Sequence, residues 1–164
     1  MRQGNQFQSP IGLVTVFLTG DVISCVRIGE FLQLSDRQQM ENEVLTSCRR
    51  QFEEYFAGHR KTFDLPLDWK TISGFQFEVL SLTRRIPFGE VRTYGDIARD
   101  LGKPAASRAV GKALGQNPLP ILIPCHRVVA ASGHLTGFSA ADGITSKTWL
   151  LQLEGHRIVA EKLG

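Results

Sequence analysis

The sequence is poor in cysteine and has no long apolar run. Its 164 residues include three cysteines, Cys25, Cys48 and Cys125, which are far apart along the chain. An odd, widely spaced set argues against a disulfide framework and against a zinc site, so we expect no bound metal and reduced thiols in a cytoplasmic protein. The chain has no apolar stretch of about 18 residues, the length that a membrane-spanning helix needs. The polar residues 1–6 lack the apolar centre of a signal peptide.

The composition is otherwise that of an ordinary globular protein. Apolar residues make up 42% of the chain and charged residues 21%, which supports a sizeable core in one domain or two small ones. The positive charge is uneven, because residues 84–128 hold 8 basic and 3 acidic side chains while the whole chain has a net charge of +3. Such a segment can bind a polyanion or form a solvated charged face, and charge alone does not decide between them.

Residues 1–70 predict a strand-rich lobe with one helix. Residues 9–19 and 22–28 are rich in β-branched side chains, and the Gly-Asp pair between them predicts a hairpin. Apolar side chains then recur at helical spacing in residues 37–57, where a glycine follows at the place of a C-terminal cap. A linker that contains proline leads into a second unit, which we expect at residues 71–164.

The second unit predicts helices, two of which form a helix-turn-helix pattern. A first helix is expected at 74–85. Thr93 and Asp96 have the spacing of a capping box, so a short helix begins there and ends near position 101. A Gly-Lys-Pro turn separates it from another short helix at 105–115, and a last helix is expected at 145–155.

The helix at 105–115 carries small side chains and two cations. Arg108 and Lys112 are four residues apart and therefore lie on one face, while the alanines and glycines around them have little bulk. Small residues allow a helix to approach a nucleic-acid groove closely, but they also allow close packing in a core. Both interpretations remain open on this pattern alone.

Cys125 follows an apolar run, and His126 is its neighbour. A thiol is a weak nucleophile until it is deprotonated, and a histidine can remove its proton. Because successive side chains of an extended chain point to opposite sides, contact between these two residues requires a turn or a bridging water. Glu154, the acid in the last apolar helix, is the best candidate to orient the histidine. A core cysteine beside a satisfied histidine remains an alternative on these residues alone.

Several longer motifs occur in one order along most of the chain and are densest between positions 74 and 154. They are Tyr55-Phe56-Ala57-Gly58, Phe88-Gly89-Glu90-Val91, Thr93-Tyr94-Gly95-Asp96-Ile97-Ala98, Ser107-Arg108-Ala109-Val110-Gly111, Asn117-Pro118, Ile121-Leu122-Ile123-Pro124-Cys125-His126-Arg127-Val128-Val129 and Trp149-Leu150-Leu151-Gln152-Leu153-Glu154-Gly155. With this set the sequence closely resembles the O6-alkylguanine-DNA alkyltransferases, which are suicide repair proteins also called methylated-DNA–protein-cysteine methyltransferases.

The resemblance implies an α/β fold of two small lobes. The N-terminal lobe, residues 1–70, would be strand-rich and ribonuclease H-like. The C-terminal domain, residues 71–164, would be mostly helical and would carry the active site and a winged-helix-like helix-turn-helix that binds DNA.

The same resemblance implies catalytic roles for five side chains. Cys125 would be the alkyl acceptor, His126 its general base through a water, and Glu154 the group that orients His126. Asn117 would help to hold the turn before the cysteine. Tyr94 would favour rotation of the target nucleotide and would donate a proton or hydrogen bond to guanine N3.

Further residues would contact DNA. Arg108 would enter the duplex and fill the place that the flipped nucleotide leaves. Gln76, Gly95, Lys103 and Ala131 fall where members of the family touch the DNA backbone or groove.

The pocket for the base would be formed by the signature and by the loop after it. The backbone at Cys125 and Val128 would read the base edge, and Ser139 would meet the O6 atom. The loop departs from the usual family pattern, since Phe138 replaces a tyrosine, two alanines replace glycines and the run to Lys147 is two residues longer. We therefore expect this loop to alter the preference for the size of the alkyl group.

The function implied is single-turnover transfer of the alkyl group from O6-alkylguanine in double-stranded DNA to Cys125, without a cofactor and by a monomer. O4-alkylthymine is a further candidate substrate. One alternative is a non-catalytic protein that binds alkylated DNA and recruits other repair factors. Another is a DNA-binding regulator whose cysteine senses alkylation, which would usually require an additional domain.

Overall fold

The protein has a mixed α/β architecture in which strands come first and helices follow, as predicted. The computed structural model describes residues 2–39, 42–138 and 143–164. The strands are β1 (Gln3–Ser9), β2 (Gly12–Thr19), β3 (Val22–Ile28), β4 (Arg92–Thr93), β5 (Val128–Val129), β6 (Ile158–Val159) and β7 (Lys162–Leu163). The α-helices are α1 (Glu43–Phe56), α2 (Gly74–Arg84), α3 (Tyr94–Asp100), α4 (Ser107–Gly115) and α5 (Ile144–Leu153), and a 3₁₀ helix covers Cys125–Arg127.

The first three strands form an antiparallel meander in the order β1-β2-β3. The prediction of one strand at 9–19 was wrong at its start, because β1 ends at Ser9 and a tight turn leads into β2 at Gly12. The sequence pattern missed β1 because its glutamines and asparagine have low strand propensity. Pairing with β2 overrides that propensity and buries Phe7.

Helix α1 begins later than its predicted start at position 37. The side chain of Asn42 caps it, accepting hydrogen bonds from the backbone N–H groups of Val44 at 2.8 Å and Leu45 at 3.3 Å. The buried face of α1 includes Cys48 and Tyr55. Cys48 is a free core thiol, and burial raises its pKa to about 12, so it is not a reactive nucleophile.

The helix-turn-helix is present as α3 and α4. The capping box is confirmed, since the Thr93 hydroxyl accepts from the N–H of Asp96 at 3.0 Å and the Asp96 carboxylate accepts from the N–H of Thr93 at 2.8 Å. Helix α4 begins at Ser107, two residues after its predicted start. It packs against both α2 and α3 through its buried face, which leaves Arg108 and Lys112 exposed.

Two backbone contacts connect the segment around Cys125, residues 117–129, to the rest of the fold. Strand β5 pairs in parallel with β4, so that Val128 lies beside Arg92 at the start of the helix-turn-helix. The N–H of Val26 in β3 donates to the carbonyl of Pro118 at 2.9 Å. A single buried apolar cluster runs from the N-terminal sheet into the helices around Cys125.

The chain closes with a β6–β7 hairpin that the sequence analysis did not predict. Its turn residues Ala160 and Glu161 have positive φ angles of 50° and 59°, which neither residue type favours and which the periodicity could not reveal. Helix α5 ends at Leu153, two residues before its predicted end. In the described part of the chain, no helix is long and apolar enough to cross a membrane.

Candidate active site

The segment before Cys125 is held by the side chain of Asn117. Its amide nitrogen donates to the carbonyl of Ile123 at 2.9 Å, and its amide oxygen accepts from the N–H of Leu119 at 3.0 Å. Within this loop Ile121 has a φ of 72°, a strained conformation for a β-branched residue. The buried amide of Asn117 thus fixes both ends of a loop that would not hold its shape by backbone preference alone.

The chain turns sharply at the cysteine. Pro124 has the dihedral angles of an inverse γ-turn, and the N–H of Cys125 donates to the carbonyl of Ile123 at 2.8 Å. The 3₁₀ helix follows, with the N–H of Arg127 donating to the carbonyl of Pro124 at 2.9 Å. Cys125 is half-buried and His126 is fully buried. This turned backbone is the arrangement that a contact between the two side chains requires.

His126 and Glu154 form a buried pair. Nε2 of His126 lies 2.8 Å from Oε2 of Glu154, although the two residues are 28 positions apart. Nδ1 of His126 is buried and has no hydrogen-bond partner in the described structure. Because a carboxylate only accepts hydrogen bonds, the pair places the imidazole proton on Nε2 and leaves Nδ1 as an acceptor.

The Glu154 carboxylate has two further partners, and the sequence analysis gave a role to neither. The Tyr55 hydroxyl donates to Oε2 at 2.6 Å, while Arg127 donates to Oε1 through Nε at 2.7 Å and to Oε2 through Nη2 at 2.9 Å. Arg127 also donates to the carbonyl of Ile86 at 2.6 Å. Both side chains lie inside motifs that the chain shares with the family, but only the folded chain shows that they contact the same carboxylate.

These contacts decide the charge states of the buried pair. Burial alone would raise the pKa of Glu154, but hydrogen bonds and charge from His126 and Arg127 outweigh it and hold that pKa well below its usual value. Burial lowers the pKa of His126, with Arg127 and Lys147 adding to the effect and Glu154 opposing it. The resting pair is therefore an ionised carboxylate and a neutral imidazole.

Lys147 is a third residue of the site to which the sequence patterns gave no role. It is 1% exposed, and its ammonium group donates to the carbonyls of Val128 at 2.7 Å and Thr136 at 3.0 Å. Burial lowers its pKa to about 8. Burial also raises the pKa of the Cys125 thiol, whereas a hydrogen bond with Asn117 and the charge of Lys147 act in the opposite direction. The resting thiol is protonated, and the positive charge of Lys147 favours its thiolate.

Cys125 opens into a pocket of about 590 Å³, a volume typical of small-molecule sites. Tyr94 lies across it, with its hydroxyl 2.9 Å from Oγ1 of Thr136. Burial raises the pKa of Tyr94, a hydrogen bond with Thr136 opposes this, and the phenol remains protonated. The pocket is lined by Tyr94, Ser107, Arg108, Gly111, Leu114, Gly115, Cys125, Ala130, Thr136, Gly137 and Phe138.

The other predicted contact residues lie away from this pocket. The Gln76 amide donates to the carbonyl of Gln116 at 3.1 Å. Gly95 is in the first turn of α3, and the Lys103 ammonium group lies 5.2 Å from the centre of the Phe75 ring. Ala131 is exposed.

Val128 and Ser139 were also predicted to contribute to the base pocket. Val128 is fully buried and does not line the pocket with its side chain, which is compatible only with a contact through its backbone. Ser139 lies outside the described residues. Within the described ranges, no cluster of three or more His, Cys, Asp or Glu side chains could hold a metal ion.

Family models match both parts of the chain. Residues 5–69 match the ribonuclease-like domain of 6-O-methylguanine DNA methyltransferase, and residues 74–156 match its DNA binding domain. The chain is 42% identical over 154 residues to the methylated-DNA–protein-cysteine methyltransferase of Methanosarcina acetivorans, covering 91% of this chain and 96% of that protein.

Solved structures agree with these matches. The crystal structure of Mycobacterium tuberculosis O6-methylguanine methyltransferase has a TM-score of 0.81 and 40% identity, covering 98% of this chain and 96% of that one. The structure of Mycobacterium tuberculosis OGT in complex with DNA has a TM-score of 0.79 and 41% identity, covering 93% and 92%. By sequence and by structure, this chain belongs to the 6-O-methylguanine DNA methyltransferase family.

Proposed function

We propose that this protein repairs DNA directly by moving the alkyl group of O6-alkylguanine to Cys125. The observation that carries the proposal is the half-buried thiol at a pocket of about 590 Å³, backed by a buried pair of His126 and Glu154. The S–C bond forms while the bond between the alkyl carbon and O6 breaks. Guanine leaves, the thiol proton compensates its charge, and no cofactor is consumed. Because nothing removes the alkyl group from sulfur, each molecule acts once.

His126 is proposed as the general base. Its Nδ1 is buried without a partner, and a water between this atom and the Cys125 sulfur would satisfy it and carry the proton. Glu154 would stabilise the imidazolium that forms, and Lys147 would stabilise the thiolate. Asn117 would hold the loop that presents the sulfur.

Tyr94 and Arg108 are proposed to handle the flipped nucleotide. O6 cannot reach a buried thiol from within the base stack, so the nucleotide must rotate out of the duplex, which costs a few kcal/mol. The exposed Arg108 at the pocket edge would fill the vacated place in the stack. Tyr94, which stays protonated, would donate to guanine N3 as the base leaves. Ser139 is proposed to meet the O6 atom.

Helix α4 is proposed to enter the minor groove, with Gln76, Gly95, Lys103 and Ala131 contacting the DNA around it. Minor-groove readout is largely degenerate, which suits repair at any sequence. The relative from Mycobacterium tuberculosis was crystallised with DNA. We also propose that residues 1–70 and 71–164 are the two structural units, and that the protein acts as a monomer in the cytoplasm, where it would be associated with the nucleoid in a prokaryote.

One experiment tests the function directly. The protein is incubated with duplex DNA carrying a single O6-methylguanine and then weighed by mass spectrometry with peptide mapping. We expect a gain of about 14 Da on Cys125, the signature of a covalent nucleophile that has accepted a methyl group. Unmodified duplex is the control. Tight binding to the lesion without any mass gain would contradict the proposal and would favour the non-catalytic alternative.

A further inference from the structure

Glu154 is held from two parts of the chain that are distant in sequence. Tyr55, in the last turn of α1, donates to Oε2 across 99 positions of sequence, at 2.6 Å. Oε2 is also the oxygen that lies 2.8 Å from Nε2 of His126. Tyr55 is 0% exposed and His126 is 0% exposed, so water does not compete for this oxygen. The general base and a tyrosine of the N-terminal strand-and-helix lobe therefore share one acceptor atom.

We propose that Tyr55 is a positioning residue for alkyl transfer, whose phenol holds the Glu154 carboxylate against His126 and sets the basicity of that imidazole. This inference rests on the proposed function, because it assumes that His126 accepts the thiol proton. It means that a residue of the N-terminal lobe helps to control the general base in the C-terminal part of the chain.

The proton on the phenol is fixed by its surroundings. Burial raises the pKa of Tyr55 well above its usual value, and the Glu154 carboxylate raises it further, so the hydroxyl stays protonated. A carboxylate has no hydrogen to offer, so Tyr55 is always the donor in this pair. Its hydrogen bond draws charge away from Oε2. Loss of the hydroxyl would concentrate that charge toward His126 and favour the imidazolium.

The hydrogen bond of the Tyr55 hydroxyl can be removed without removing the packing of the Tyr55 ring. The ring lies 5.5 Å from Phe56, 5.4 Å from Phe63 and 6.3 Å from Phe88, measured between centroids. A phenylalanine at position 55 would keep all three contacts and remove only the donor. Arg127 would still hold both carboxylate oxygens, so Tyr55→Phe should leave the carboxylate ionised but less firmly oriented.

Three charged groups face His126. Glu154 raises its pKa, whereas Arg127 from the same turn and Lys147 from α5 lower it. Lys147 itself has a pKa lowered to about 8. Measurements below that pH therefore follow His126 while Lys147 keeps its charge.

The experiment compares full-length wild-type protein with Tyr55→Phe. Single-turnover methyl transfer from O6-methylguanine DNA is timed from about pH 5 to about pH 7, and the His126 imidazole is titrated by ¹⁵N NMR over the same range. We expect the transfer rate at neutral pH to fall about tenfold, because the carboxylate loses one hydrogen bond and orients the general base less firmly. The His126 titration and the acid limb of the rate profile should both move to higher pH.

Thr15→Val is the matched control. Thr15 is 0% exposed in β2 of the same lobe, and its hydroxyl accepts from Gln6 rather than contacting the active site. This variant should lose stability without moving the His126 titration. In a Glu154→Gln background, Tyr55→Phe should cause little further loss of rate, because residues that act as one unit are not additive.

An unchanged His126 titration in Tyr55→Phe would overturn the proposal, as would a rate loss that Thr15→Val reproduces in full. The two proposals fail separately. If wild-type protein never alkylates Cys125, the proposed function is wrong, while the NMR titration still decides whether Tyr55 sets the basicity of His126.

Discussion

The ammonium group of Lys147 and the carbonyl oxygen of Val128 are joined by a 2.7 Å hydrogen bond between buried groups. A second bond of 3.0 Å from the same ammonium group reaches the carbonyl of Thr136. Lys147 thus links the strand that follows Cys125 to Thr136, which lines the pocket. It also places a positive charge where it acts on the Cys125 thiol.

Lys147→Met should slow methyl transfer by about tenfold at pH 7, equivalent to about 1.4 kcal/mol, because the developing thiolate loses a buried cation. The lysine pKa is lowered to about 8, so the wild-type side chain becomes neutral as the pH rises through that value. The ratio of the methyl-transfer rates of wild type and Lys147→Met should therefore decrease above pH 8. Single-turnover rates across this range test it, and a constant ratio would show that the charge is unimportant.

Glu154→Gln should destabilise the fold by about 3–5 kcal/mol at pH 7, because it leaves the buried Arg127 without its counter-charge. The pKa of Glu154 is lowered from an ordinary value of 4.5. The folded state then binds fewer protons than the unfolded state, so this stability is present above about pH 4.5 and is lost as the pH falls. Urea unfolding of wild type and Glu154→Gln should show that their difference in unfolding free energy is smaller at acidic pH than at neutral pH. Equal differences at both would contradict this assignment.

Cys125→Ser should abolish alkyl transfer and retain binding to DNA that contains O6-methylguanine. A serine hydroxyl is far less acidic than a thiol, so His126 cannot generate a comparable nucleophile. Mass spectrometry measures transfer and fluorescence anisotropy measures binding. Cys48→Ser is a control for the loss of a buried thiol, and transfer by Cys125→Ser at a rate near that of wild type would rule out Cys125 as the acceptor.

Arg108→Ala should impair repair of duplex DNA more than reaction with free O6-methylguanine, because the free base needs no flipping. Lys112→Ala is the matched control, since it removes a second exposed cation from the same helix. It should weaken duplex binding and reduce its salt dependence. Comparable losses on both substrates for Arg108→Ala would show that Arg108 does not act through the duplex.

The loop after Phe138 should affect which alkyl groups the protein accepts. Phe138 lines the pocket, Ala140 and Ala141 lie outside the described residues, and alanine resists backbone angles that glycine adopts. We expect slow reaction with O6-benzylguanine relative to O6-methylguanine. Glycines at 140 and 141, with two residues removed from 142–146, should change this rate ratio on free base and on DNA. An unchanged ratio would mean that the loop does not shape the pocket.

Local patterns in the sequence were sufficient for much of the fold. The capping box at Thr93 and Asp96 predicted the start of α3 because its hydrogen bonds join residues three apart. The start of α1 was less predictable, because apolar residues at helical spacing occur before it, whereas the helix begins at Glu43, after the cap at Asn42. Strand β1 could not be predicted, because its stability comes from its partner strand and not from its own polar residues.

By itself, the sequence determined the order of the helices, the placement of Arg108 and Lys112 on one face of α4, and a candidate nucleophile beside a histidine. The residues alone made Glu154 the best candidate to orient His126, and the structure shows this pair at 2.8 Å. The family motifs added the expectation that Cys125 is the alkyl acceptor. Only the tertiary structure decided that Tyr55 and Lys147 belong to the same site. Both look like ordinary residues in their own segments. Their roles depend on which buried acceptors the folded chain places beside them, and contacts between distant segments leave no periodic signal in a single sequence.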